Sequence, residues 1–330
     1  MFNLMPIPRV IQGPSAWYGP QMAASSEWIE NLSQSEIAEI ETTSQRSVCA
    51  KKDISSIRKE DFPLPTLGPR LCRILDDVLN GRGFALLRGL PVQRWSKIES
   101  ATAFFGLGTH LGCARSQNAQ GHVLGHVRDL GMSSGDPSVR IYQTSERQGF
   151  HTDSCDVVGL LCLQTAKAGG LSSLVSSVTI YNEMRRLRPD LLSCLFELIE
   201  TDRRGEVPEG QKPYFEIPVF NWHAGLLSAV YQRKYIDSAR RFVGTPRTPQ
   251  QREALDLFDA LCDDPRLCMS MEFLPGDVQL VHNHTLLHDR TAFQDWPEPD
   301  RKRHLLRLWL APPEARPQKQ VDKTRARPID

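Results

Sequence analysis

Histidine and aspartate flank a threonine in Phe150-His151-Thr152-Asp153. In an extended strand alternate side chains share a face, so His151 and Asp153 point the same way and Thr152 the other. An imidazole beside a carboxylate offers two ligands of a metal site that lacks a third. Later in the chain His282, His284 and His288 stand close together. His288 is the candidate, because Asp277-Val-Gln-Leu-Val reads as a strand heading inward and Leu286-Leu287-His288-Asp289-Arg290 follows it. Two neutral imidazoles and one carboxylate leave positions open on a metal, which suits non-haem Fe(II). Any one of these histidines, taken alone, is more simply read as a polar residue of core or surface.

A second pattern lies near the end. In Arg303-His304-Leu305-Leu306-Arg307-Leu308-Trp309-Leu310, a period of two puts Arg303, Leu305, Arg307 and Trp309 on one face. The other face carries His304, Leu306, Leu308 and Leu310. Both faces are largely apolar, as in a strand buried on both sides. Guanidiniums in such a strand need anionic partners, because an unpaired buried charge is very costly. Arginine meets carboxylate through paired hydrogen bonds. Internal Asp or Glu could serve either arginine alone.

The surrounding chain must position these groups. With 330 residues it can bury a large core, and 40% hydrophobic with 24% charged residues is ordinary for a soluble globular protein. A net charge of +1 gives no sign of a nucleic-acid or anionic-membrane surface. No apolar run is long enough to span a membrane, and the N-terminus does not read as a secretory signal. None of the cysteines forms a C-x-x-C pair, so they read as small buried hydrophobes in a reducing, cytoplasmic setting.

Residues 1–60 are expected to be an extension packing on the main domain, with a weak amphipathic helix over 27–40. Leu71, Ile74, Leu75, Val78 and Leu79 recur at helical spacing, and Gly81 and Gly83 end that helix. Phe84 to Gly89 is a buried strand. Ser96 and Glu99 open a second helix with a capping box. Residues 112–137 read as a long irregular segment, and Val139 to Thr144 as a strand leading toward His151. Val157 to Thr165 is a continuous apolar strand, followed by a Gly169-Gly170 turn and the strand Ser172 to Ser177. Helical stretches divided at Pro189, a hairpin turning at residues 223–225 and a helix over 251–262 come next. Strands over 268–274, 277–283 and 304–311 close the domain, with Pro275-Gly276 as the turn between the first two. Residues 313–330 read as a mobile tail. This order favours a mainly β fold with flanking helices, an antiparallel sandwich or jelly roll.

These residues carry a resemblance. His151-Thr-Asp153, Gly169-Gly-Leu-Ser172, Asn283 with His288-x-Arg290, and Arg303-His-Leu-Leu-Arg307 together resemble the taurine dioxygenase / clavaminate synthase-like family. H-x-D alone is a weak signal; the blocks in this order are a strong one. The resemblance implies a double-stranded β-helix over residues 61–312 and an Fe(II)- and 2-oxoglutarate-dependent oxygenase that consumes O2. It implies that His151, Asp153 and His288 bind iron and that Arg303 holds the distal carboxylate of 2-oxoglutarate. It implies further that Arg307 meets a carboxylate of cosubstrate or substrate. Ser172 stands where family members often have a threonine contacting that distal carboxylate. His284 falls where the family often has arginine, and is not expected to be a ligand.

Substrate contacts are expected from Asn118 in the long segment and from Gln143 and Arg147 just upstream of His151. The partner would be a small molecule, an amino acid or a secondary-metabolite intermediate, with no nucleic acid and no membrane. Two rivals remain open. A zinc hydrolase could use the same set of two histidines and one carboxylate, but no H-E-x-x-H motif is present and two inward arginines go unexplained. A jelly roll that binds without turnover would not need the triad.

Overall fold

Phe84 and Leu86 face one way and Ala85 and Leu87 the other, and both faces are buried. The alternation places this strand between two apolar layers. The computed structural model describes residues 9–316 apart from positions 119, 134, 136–138 and 245. Positions 317–330 of the expected tail therefore lie outside the described residues.

Eight strands form the frame that holds the site. They are β1 (Phe84–Arg88), β2 (Gln148–His151), β3 (Val157–Gln164), β4 (Ser172–Ser176), β5 (Cys268–Met271), β6 (Val278–His282), β7 (Leu286–Arg290) and β8 (His304–Ala311). The larger sheet has seven strands, ordered Ile29–Asn31, β1, β6, β3, β8 and Cys113–Arg115, with Leu124–Val127 also paired to β8. The smaller sheet has four, ordered β5, β4, β7, β2. Neighbours among β1–β8 run antiparallel.

Three apolar clusters follow from the period of two. Phe84, Leu86, Val158, Cys162 and Leu305 of the larger sheet meet Leu174, Met271 and Leu286 of the smaller one, so the sheets face each other. Ala85, Leu87, Leu306, Leu308 and Leu310 point outward and pack under the helices Gln34–Cys49, Leu67–Asn80 and Lys97–Thr109. Val175 and Leu287 of the smaller sheet meet the helices Ser177–Leu187, Pro189–Cys194 and Pro249–Cys262. Trp17 and Trp28 lie against Phe84 at ring-centroid distances of 5.7 and 5.8 Å.

The Pro275-Gly276 turn is as expected, and glycine is required there. Gly276 has φ +93°, and a Cβ at that position would lie 1.9 Å from the Leu90 carbonyl oxygen.

Several expectations need correction. The helix expected over 27–40 is instead the strand Ile29–Asn31, parallel to β1, followed by the helix Gln34–Cys49. Its start is set by a capping box between Ser33 and Glu36. The segment 112–137 is less irregular than expected, since Cys113–Arg115 and Leu124–Val127 both pair with β8. The strand expected over 139–144 is a 3-10 turn at Ile141–Gln143. There the Gln143 side chain accepts the Arg140 N–H, and Thr144 donates to the Ile141 carbonyl from both its backbone and its hydroxyl. Such local bonds compete with a ladder. The strand β7, which carries His288, and the hairpin Ile199–Asp202 with Tyr214–Ile217 have no counterpart among the expected strands.

Candidate metal centre

β2 and β7 pair with His288 directly opposite His151, which brings the two rings to 4.1 Å between centroids. β2 ends at His151, so Asp153 is not placed by strand alternation. A turn places it instead. The Thr152 N–H donates to the Tyr231 carbonyl at 2.8 Å and the Asp153 N–H to Asn283 Oδ1 at 2.9 Å. Asp153 Oδ1 then lies 3.9 Å from His151 Nε2. One ligand atom from each of His151, Asp153 and His288 falls within 4.8 Å of the others, and among the described residues only this group does so.

Hydrogen bonds fix the ligand atoms. His151 Nδ1 donates to the Gly149 carbonyl at 3.0 Å, which leaves the Nε2 lone pair toward the triad. That lone pair accepts from the Gln148 side-chain amide at 2.8 Å, a place a bound metal would take. Asp153 Oδ2 accepts from Trp309 Nε1 at 2.9 Å and lies 3.5 Å from Arg307 Nη1.

Burial holds the imidazoles neutral, as a metal requires. It pushes His288 down to about 3, with the nearby His151 adding to the effect, and pushes His151 down as well. For Asp153 burial pushes upward, but Arg307, His288, His151 and the Trp309 bond outweigh it and leave the carboxyl below its usual range. His282 and His304 are also depressed by burial, His304 to about 4. In the unfolded chain these histidines titrate near ~6.5. Between that value and their lower folded values the unfolded state holds more protons, so stability is complete above about pH 6.5 and falls as the pH drops. Metal-free protein is expected to hold its Tm from pH 7.5 to about pH 6.5 and to lose it steadily from there to pH 5; a constant Tm between pH 6.5 and pH 5 would contradict the burial of these rings.

The triad opens into a cleft between the sheets that Ser172, Arg290, Arg303 and Arg307 also line. Arg307 Nε donates to Gln117 Oε1 at 2.8 Å, and its guanidinium stacks between Tyr142 and Trp309 at 4.8 and 5.0 Å. Arg303 is 4% exposed, and its Nη1 has no hydrogen-bond partner. Burial pushes its guanidinium down to about 10. Arg290 is also pushed down to about 10, by burial and then by Arg303. Ser172 Oγ donates to Gln279 Oε1 at 3.2 Å. His284 pairs with Asp156 at 2.8 Å, away from the triad.

The residues expected at the substrate do not line this cleft. Arg147 forms ion pairs with Asp289 at 2.7 Å and Asp263 at 2.5 Å, Asp289 being an outward-facing residue of β7. Asn118 closes its own turn, accepting from the Gln120 and His122 N–H groups. Gln143 closes the 3-10 turn. Their chain neighbours Gln117 and Tyr142 reach Arg307 instead, so these two segments meet the site through other residues than those expected. Trp309 was legible from strand alternation with Arg307, whereas Arg290 lies on β7, which the sequence does not announce as a strand. Gln148 carried no separate signal.

The donor set fits a divalent iron: two neutral imidazoles, one ionised carboxylate and an open side toward the cleft. Partnerless guanidinium N–H groups near it fit an anionic organic ligand. Comparison with known proteins agrees. The family model described as taurine catabolism dioxygenase TauD, TfdA family matches residues 50–309. FR-33289 synthase of Streptomyces rubellomurinus is 33% identical over 304 residues, which is 91% of this chain and 90% of that protein. Among solved structures, asparagine oxygenase in complex with Fe(II), 2S,3S-3-hydroxyasparagine and succinate aligns with TM-score 0.64 at 18% identity, over 86% of this chain and 93% of that one. The non-heme iron oxygenase OrfP in complex with Fe and alpha-ketoglutaric acid aligns with TM-score 0.64 at 14% identity, with the same coverage. At these identities the two structures bear on the fold.

Proposed function

The chain belongs to the TauD/TfdA dioxygenase family, and from that membership we propose how its cleft works. The protein is an Fe(II)- and 2-oxoglutarate-dependent oxygenase. His151, Asp153 and His288 hold the iron, and the observation that carries this assignment is their convergence within 4.8 Å on neutral, buried rings. With 2-oxoglutarate and O2, bound iron supplies oxidation of a C–H bond coupled to release of CO2 and succinate.

The remaining work is done by the chain. Arg303 takes the remote carboxylate of 2-oxoglutarate, supported by its partnerless Nη1, and Ser172 adds a hydroxyl. Arg307 is clamped by Gln117, Tyr142 and Trp309 and so presents a fixed cation beside Asp153 to a carboxylate of cosubstrate or substrate. Trp309 and Arg307 keep Asp153 ionised and aimed. Leu160, Val127, Leu305 and Phe273 line the cleft with apolar surface that excludes water.

Two facing sheets whose neighbouring strands among β1–β8 run antiparallel support a double-stranded β-helix as the catalytic unit over 61–312, with the described residues 9–60 packed on that unit. The substrate is a small molecule, an amino acid or a secondary-metabolite intermediate, in keeping with a relative named as a synthase and a structural neighbour holding 3-hydroxyasparagine. No helix among the described residues is long and apolar enough to cross a membrane. The cysteines are free thiols, which supports a reducing, cytoplasmic setting.

Iron-loaded protein is expected to convert 2-oxoglutarate slowly to succinate in air even without substrate, and zinc-loaded protein to form none. Equal succinate from both forms would overturn the assignment.

A further inference from the structure

Along β7 the side chains of Leu286, His288 and Arg290 share the inward face. The step from His288 to Arg290 is about 6.5 Å along a strand. A 2-oxoglutarate molecule whose keto acid end sits at the His288 level extends its other carboxylate toward the next inward level. Arg290 occupies that level, and Ser172 of β4 stands directly opposite it in the ladder. Arg303 arrives from the facing sheet. The guanidinium carbons of Arg290 and Arg303 lie 4.8 and 5.1 Å from the centroid of one ring, that of Phe293. Both arginines line the cleft, at 7% and 4% exposure.

Their hydrogen-bonding capacity is largely unspent. Arg290 Nη2 donates to the Glu146 carbonyl, while Arg290 Nε and Nη1 and Arg303 Nη1 have no partner. Two buried like charges gathered on one aromatic ring are unfavourable unless an anion joins them. Gly170 shapes the same corner: it has φ +71°, and a Cβ there would come within 3.0 Å of Arg303 Nε.

We propose that the remote carboxylate of 2-oxoglutarate is held by two guanidiniums, Arg290 from the smaller sheet and Arg303 from the larger, with Ser172 beside them. The proposal rests on the cosubstrate reading above and assigns Arg290 a binding role in it. The simpler alternative is that Arg290 only anchors the Glu146 carbonyl and so steadies the chain entering β2.

The two roles separate on a pair of ligands. 2-Oxopentanoate keeps the keto acid end of 2-oxoglutarate and carries a methyl where the remote carboxylate would be. Both acids are titrated anaerobically into the Fe(II)-loaded protein, and affinity is read from the change in visible absorbance. Arg290→Met is expected to weaken 2-oxoglutarate by about 10-fold or more, since a hydrogen bond to a charged group is lost. It should leave 2-oxopentanoate within about 2-fold on the same grounds. Equal weakening of both acids, or no weakening of either, overturns the proposal. Arg290→Lys keeps the charge with fewer donors. Should the methionine variant not fold, the lysine variant gives the same readout: a loss confined to 2-oxoglutarate supports the role and an equal loss refutes it. A wild-type protein that responds to neither acid would instead overturn the underlying iron and cosubstrate reading.

Discussion

His288→Ala is expected to lower Fe(II) affinity by more than about 100-fold while the protein still folds. Removing a group that only orients a metal ligand already costs about 10- to 100-fold, and His288 is proposed as a ligand itself. The fold should survive because His288 forms part of the cleft wall rather than a core joint. Its Nδ1 has no hydrogen-bond partner, and the β4–β7 and β2–β7 ladders are backbone features that alanine preserves. His284→Ala is the matched control. His284 lies in the same stretch of chain but pairs with Asp156 outside the triad. Equilibrium dialysis against Fe(II) under anaerobic conditions should show the loss in the first variant only. An equal loss in both would mean that iron does not sit at the triad.

Arg303→Leu should have two effects of opposite sign. It removes charge-assisted hydrogen bonds worth about 1.5–3 kcal/mol, so 2-oxoglutarate affinity falls roughly 10- to 100-fold. Iron affinity stays unchanged, since Arg303 is not in the triad. The ligand-free protein, by contrast, should be as stable as wild type or more so. Arg303 is a desolvated charge whose Nη1 has no partner, and replacing such a charge by an apolar side chain is often neutral or stabilising by about 1–4 kcal/mol. The Arg303 backbone N–H keeps its bond to Asp295 at 2.8 Å in either case. Thermal unfolding and cosubstrate titration of one preparation read both effects. A destabilised variant with normal 2-oxoglutarate affinity would assign Arg303 a purely structural role.

The parts of this site that were legible in the sequence are those governed by short-range periodicity. Strand alternation in β8 correctly set Arg307 and Trp309 on the inward face and Leu306, Leu308 and Leu310 under the helices. The Ser96–Glu99 capping box and the Pro275-Gly276 turn are local signals of the same kind. Alternation gave the right neighbourhood for His151 and Asp153 for a partly wrong reason. The strand stops at His151, and Asn283, distant in the chain, holds the Asp153 backbone in place.

What was not legible depends on partners far away in sequence. Nothing near Arg147 indicates that Asp289 and Asp263 will claim it. Val139 to Thr144 has the composition of a strand, yet Gln143 and Thr144 bond to their own backbone, and Arg140 is drawn to Tyr235 and Glu206. β7 is buried along its whole length, so it lacks the polar alternation that announces a half-exposed strand. The same burial makes its polar residues informative. His288 and Arg290 are tolerated there because they face a cleft, and Asp289 because Arg147 meets it from the other side.

Iron and 2-oxoglutarate are proposed to meet at His151, Asp153 and His288. Anaerobic addition of Fe(II) and then 2-oxoglutarate to the metal-free protein, followed by visible absorbance, tests it most directly. A weak charge-transfer band is expected that appears only when both are present and is absent from His288→Ala. No band in the wild type, together with tight retention of zinc, would contradict it and direct attention to hydrolytic chemistry at the same residues.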